Sequence, residues 1–280
     1  MRKLLRTTAR GTLLALAVLF ACGAYVYLST PDVRRLRTED PQTTAFMELR
    51  AREARSKGQQ PKKDQRWVPY RRISQNLVRA VLVTEDARFW KHDGLDYEQI
   101  KESMEVNLER GEFARGASTI TQQLAKNLYL SPSKNPVRKL RELLISRRLE
   151  AELSKQRILE IYLNVIEWGD GVYGAEAASR RYFGRSASQL SQPESALLAA
   201  AIANPRVMNP GQPTARLRRR QAMVLRRIGY VEPPPAPPVA PAEAELPSLT
   251  PVPGLPGAEV LPGQSVPPPK KPGGGGGGGS

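Results

Sequence analysis

The chain contains a single cysteine, Cys22, which excludes an intrachain disulfide; its place inside an apolar run makes it a small hydrophobe. Acidic residues are scarce as well: 27 Asp and Glu stand against 43 Lys and Arg, a formal charge of +16 over 280 residues. That imbalance implies an anionic partner, whether nucleic acid, lipid head groups or a phosphorylated substrate. No zinc-finger or RNA-binding signature is present, which argues against nucleic acid. Strand-like alternation never extends beyond a few residues, so the domain is expected to be mainly α.

Charge is also missing from residues 11–29, which are mostly Leu, Ala, Val and Tyr. A run of that length suits a transmembrane helix. Arg2, Lys3, Arg6 and Arg10 precede it and favour a cytoplasmic N-terminus over residues 1–10. A single-pass protein of the cell (inner) membrane is expected, with its folded part on the periplasmic, extracytoplasmic side. A cleaved signal peptide competes with this reading, but the run is long for one. Residues 30–65 read as a linker and membrane-proximal region, and 66–230 as the domain. The tail over 231–280 carries Pro-Pro-Pro runs and ends in seven glycines and a serine. It cannot bury enough apolar surface to offset its ordering entropy, so disorder is expected there.

Caps and apolar stripes predict the helices. Ser74 opens one through Leu77, Val81 and Thr84; Asp96 with Gln99 forms a capping box ahead of Ile100, Met104 and Leu108. Ser118 is expected to cap the stripe Ile120, Leu124 and Leu128. Asn135-Pro136 starts a long basic helix to about Leu153, and Ile158, Leu159, Tyr162, Leu163 and Ile166 line the next. Ser191 with Glu194 introduces an Ala/Leu-rich core helix, and Thr214 a last helix through Ile228.

Three clusters carry potential chemistry. Glu85 ends an apolar helical run, followed by Phe89 and the only histidine, His92; a buried carboxylate there could act as a general base, although a helix end with ordinary charges is the plainer reading. From Gly116 to Asn127, hydroxyls, the amides Gln122 and Gln123, and Lys126 could bind sugar hydroxyls and phosphate oxygens. Arg138, Lys139 and Glu142 share a helix face that Arg148 continues; it is either a solvated charge run or a pyrophosphate cradle.

Taken together, the clusters resemble the family 51 glycosyltransferases, the monofunctional biosynthetic peptidoglycan transglycosylases. Glu-Asp-x-x-Phe-x-x-His-x-Gly stands as Glu85, Asp86, Phe89, His92 and Gly94, and Gly-x-Ser-Thr-Ile-Thr-Gln-Gln with Lys-Asn runs from Gly116 to Asn127. Arg-Lys-x-x-Glu is Arg138, Lys139 and Glu142; Lys-x-x-Ile-Leu-Glu-x-Tyr-Leu-Asn runs from Lys155 to Asn164; a fifth motif is partly kept from Arg220 to Leu225. Ser131-Pro132-Ser133-Lys134 matches a transpeptidase Ser-x-x-Lys only by accident, since no Lys-Thr-Gly follows.

The resemblance implies a lysozyme-like, mainly α domain that polymerises lipid II into β-1,4-linked glycan with inversion, releasing undecaprenyl pyrophosphate. It implies Glu85 as base and Glu142 as second catalytic carboxylate. Lys126, Arg138 and Lys139 would stabilise the leaving pyrophosphate, with Lys134 assisting. Gln122, Gln123 and Asn127 would line the cleft, and Phe89 and His92 would shape it. No cofactor is required, although Glu142 could position a divalent ion, Mg or Mn. The implied partners are lipid II, the growing lipid-linked strand, the membrane and cell-wall synthesis or division proteins, with no nucleic acid. A lysozyme-like lytic enzyme and a non-catalytic cell-wall scaffold are the alternatives. The cationic third motif favours synthesis, because a hydrolase has no pyrophosphate to hold.

Overall fold

The computed structural model describes residues 12–230 apart from 14, 15, 19, 22, 111–117 and 132–134, and at 107, 110 and 230 the backbone alone. The chain divides into two units, Met1–Pro237 and Pro238–Ser280. The expected disordered tail, the basic segment 1–10 and Lys134 lie outside the described residues.

Helices dominate: α1 (Ala45–Ser56), α2 (Gln75–Glu85), α3 (Tyr97–Arg110), α4 (Ile120–Tyr129), α5 (Pro136–Glu152), α6 (Lys155–Val165), α7 (Ala175–Phe183), α8 (Gln192–Ala201) and α9 (Ala215–Arg227). Their starts follow side-chain chemistry. Thr44, Ser74, Asn135, Ser154, Ser191 and Thr214 each accept a backbone N–H of the first turn, and Ser191 with Glu194 completes a capping box. Asp96 caps α3 by accepting the Gln99 N–H at 2.9 Å.

Three short strands also form: β1 (Asp64–Gln65), β2 (Glu167–Gly169) and β3 (Val172–Tyr173). β3 lies in the middle, parallel to β1 and antiparallel to β2. Segments of two and three residues are too short for alternation to register, which is why the sequence shows no sheet.

The core is built around α8, which is buried from Ser195 to Ala201. Its small side chains let α2 pack on one side and α9 on the other. From α2, Leu77, Val78, Val81 and Leu82 are fully buried, each apolar side chain contributing about 1.5–3 kcal/mol. This packing fixes the C-terminal end of α2, and hence Glu85. Val33, Leu36 and Met47, upstream of residue 66, belong to the same core.

No helix among the described residues is long and apolar enough to cross a membrane. This overturns the spanning helix expected over 11–29, and with it the single-pass inner-membrane topology that placed the domain outside the cytoplasm. The described residues between 12 and 28 are helical, and a turn follows at 29 and 30. The end of this segment is held by protein: Arg148 donates to the carbonyls of Tyr27 and Thr30, both at 3.1 Å, and Arg141 to that of Ser29 at 3.2 Å. Arg148 therefore turns to the N-terminal segment and does not extend the Arg138–Glu142 face.

Candidate active site

Glu85 is the last residue of α2 and is half-buried. Its Oε2 accepts a hydrogen bond from Gln123 Nε2 at 2.9 Å, and Gln123 Oε1 accepts one from the hydroxyl of Tyr162 at 2.9 Å. This chain joins α2, α4 and α6. An ionised carboxylate only accepts, so it takes the amide nitrogen, and the amide oxygen is left for the Tyr162 hydroxyl. Burial pushes the Glu85 carboxyl above the usual range; the Gln123 hydrogen bond and the nearby charges of Arg220 and Lys126 oppose that shift.

Asp86 faces the opposite way. Its carboxylate accepts the Ile120 N–H at 2.9 Å and contacts His92 Nε2 at 3.0 and 3.1 Å. His92 Nδ1 accepts the Gly94 N–H at 3.2 Å, so the proton of the neutral ring belongs on Nε2. The Gly94 carbonyl accepts the Thr119 hydroxyl at 2.7 Å. Gly94 has φ +85°, and a side chain there would press on Glu150 Cγ. Asp86, His92 and Thr119 thus bind the turn after α2 to the start of α4. His92 braces the site, and Phe89, fully buried, floors it with Lys155 Nζ 4.4 Å above the ring.

The capping role expected of Ser118 belongs to Thr119, which forms a capping box with Gln122 at the start of α4. Ser118 precedes the cap, and its hydroxyl meets Lys139 Nζ at 3.4 Å. Gln122 is buried in this cap and Asn127 donates to the Gln123 carbonyl at 2.8 Å, so both support the α4 backbone. Lys126 is half-buried, and its charge acts on Glu85.

Glu142 is only 3 % exposed, so the solvated-face reading of the third cluster does not hold for it. Its two oxygens accept from Arg138 and Lys139. A divalent ion there would meet two cations on the same carboxylate, so this setting does not suit one. Asp86, His92 and Asp96 bring one ligand atom each within 4.8 Å of one another and could hold a metal ion by type and spacing. Their atoms are already committed, however: Asp86 to Ile120 and His92, His92 Nδ1 to Gly94, and Asp96 to Gln99 and Arg88.

A family model described as Transglycosylase matches residues 52–229, more than half of the chain. The chain belongs to the biosynthetic peptidoglycan transglycosylases. A curated member of that name from Nitrosomonas eutropha is 50% identical over 192 residues, covering 69% of this chain and 79% of its own length. Another from Dechloromonas aromatica is 48% identical over 189 residues, 68% of this chain and 82% of its own. One from Thiobacillus denitrificans is 43% identical over 231 residues, 82% of this chain and 98% of its own. This transglycosylase is therefore an enzyme of cell-wall synthesis, a peptidoglycan glycosyltransferase.

Three neighbours of the expected site escaped sequence reading. Tyr162 stands both on the apolar face of α6 and in the fourth motif, but no role was assigned to its hydroxyl. Arg220 opens the partly kept fifth motif, to which no role in the site was assigned. Glu150 accepts from the Thr121 hydroxyl at 2.5 Å and from Lys155 at 2.8 Å, joining the second and fourth motifs from outside both. Two other polar residues of the fourth motif, Glu160 and Asn164, serve the scaffold. Glu160 accepts the Tyr70 N–H at 2.7 Å, and the Asn164 amide pairs with both backbone groups of Val68 at 2.9 Å.

Proposed function

We propose that this transglycosylase polymerises lipid II through its 66–230 domain, with Glu85 as the general base. Glu85 takes the proton of the acceptor 4-hydroxyl, and that oxygen attacks the anomeric carbon of the lipid-linked donor. The bond from that carbon to the pyrophosphate oxygen breaks, inverting the centre and forming the β-1,4 link. The observation that carries the reading is the chain Tyr162–Gln123–Glu85. It presents a carboxylate whose burial makes it more basic than usual while a fixed amide donor holds it in place.

Lys126 is the cation on the same helix as Gln123, and with Arg138 and Lys139 it would stabilise charge developing on the leaving pyrophosphate; an electrostatic contact of this kind is worth about 3 kcal/mol. Glu142 sets the two basic side chains of α5, each of which it contacts. It acts through them, as a positioning carboxylate. Family membership supports the lipid-linked glycan as substrate, and no step requires a metal.

Glu85→Gln keeps the shape and removes the base. Incubated with lipid II, the purified variant should make no glycan polymer on a gel while its melting temperature stays within a few degrees of the parent. Parent-level polymer from Glu85→Gln would remove Glu85 as the base. Soluble fragments released from preformed peptidoglycan, with no polymer from lipid II, would overturn synthesis itself in favour of a lytic enzyme.

A further inference from the structure

α9 carries six arginines and no acidic residue. Arg216, Arg218, Arg219, Arg220, Arg226 and Arg227 make no ion pair among the described residues. Two of them, Arg220 and Arg227, lie two turns apart on one face. They border a cavity of about 130 Å³ whose other walls are Val83, Thr84, Met223 and Val224. Glu85 does not line the cavity, but Arg220 on its wall is near enough for its charge to act on the Glu85 carboxyl. We propose that Arg220 and Arg227 form an anion-binding site that holds an anionic group of the lipid-linked substrate, a carboxylate or a phosphate, near Glu85.

The chemistry of the lining limits the occupant. Every charged group on the wall is a guanidinium, and no carboxylate lines it. Arg220 Nε donates to the Ala200 carbonyl at 3.1 Å, which fixes the plane of its guanidinium and leaves the two terminal nitrogens for a forked contact with an anion. The Thr84 hydroxyl donates to the Ala80 carbonyl at 2.7 Å, so only its lone pairs face outward, and they offer an anion nothing. Arg227 is exposed and closes the mouth, while Val83, Val224 and Met223 supply apolar contact for the carbons behind the charge. A volume of about 130 Å³ has room for a carboxylate or a phosphate group.

Assigning the occupant to the substrate rests on the lipid II reading above, whereas the anion site itself does not. Two experiments separate them. In the first, the full-length protein is labelled with phenylglyoxal and the modified arginines are located by mass spectrometry. Inorganic pyrophosphate is the probe in one arm and N-acetyl-D-alanyl-D-alanine, a peptide carboxylate, in the other. At least one should slow labelling of Arg220 and Arg227 threefold or more relative to Arg219 and Arg226, and the arm that does so identifies the source of the charge. Equal labelling of all four in both arms overturns the site, whatever the enzyme's activity. In the second, Arg227→Gln should raise KM for lipid II about five- to tenfold with kcat within twofold, Arg227→Lys should recover part of the loss, and Arg226→Gln should change neither. An unchanged KM in Arg227→Gln overturns the assignment to substrate.

Discussion

A carboxylate that removes a proton from a sugar hydroxyl must be basic and must also point at its target. Burial supplies the first property to Glu85, and Gln123 supplies the second. An amide can present either end; the carboxylate, which only accepts, takes the nitrogen, and Tyr162, fully buried, anchors the oxygen with its hydroxyl. Tyr162→Phe removes only that hydroxyl and keeps the packing. Losing about one hydrogen bond's worth of orientation, roughly 1 kcal/mol, should lower kcat by about five- to tenfold with the fold intact. A pH profile distinguishes positioning from general damage. With Glu85 as the proposed base, activity needs it deprotonated, and the Gln123 hydrogen bond favours that charged form. Without Tyr162 the bond loosens, the carboxyl moves further up, and the acid limb of kcat/KM should shift to higher pH. A lower kcat with an unmoved acid limb would make Tyr162 merely structural.

The catalytic geometry also depends on how elements meet. The turn after α2 and the first turn of α4 share one carboxylate, Asp86, which accepts from Ile120 and from His92. Asp86→Ala would leave two buried donors unpaired, at about 1–3 kcal/mol each. A stability loss of about 2–5 kcal/mol is expected in urea unfolding, and a loss below 1 kcal/mol would show that the junction is held by other contacts. Helix starts were legible at this scale because a cap and the stripe behind it are local; Ser74, Asn135, Ser191 and Thr214 stand where the residues alone put them. The neighbour of a cap was harder to read. Ser118 and Thr119 both offer a hydroxyl, and the partner that decides between them, the Gly94 carbonyl, lies 25 residues away. The same holds for the site. Glu85 and Glu142 announced themselves through motif spacing, but Tyr162 and Arg220 acquire their roles from contacts that no local pattern encodes.

Across the described residues, several arginines donate to backbone carbonyls. Arg141 and Arg148 cap the carbonyls that end the N-terminal helical segment, Arg157 donates to Leu36 and Glu39, and Arg220 to Ala200. Guanidinium groups bound to carbonyls need no acidic residue, so a charge of +16 coexists with an ordered fold. The contact of α1 with β2 is built differently. Arg50 donates to Glu167 Oε2 at 3.0 and 3.2 Å, while Glu167 Oε1 is buried without a partner. Burial lifts this carboxyl above its ordinary 4.5, and Arg50 works against the rise. An acid lifted on folding takes up protons in the folded state. Its setting is therefore most favourable at low pH and loses stability as pH rises through the folded value. Arg50→Gln removes the cation that limits this loss. The variant should match the parent closely near pH 4, where Glu167 is largely protonated in both, and fall about 2–3 kcal/mol below it at pH 7, where a buried carboxylate lacks its partner. Thermal melts at the two pH values measure the difference. An equal deficit at both would mean that Arg50 contributes by packing on Phe46, whose ring its guanidinium covers at 4.6 Å, and that the charge of Glu167 has no share in holding α1 to the sheet.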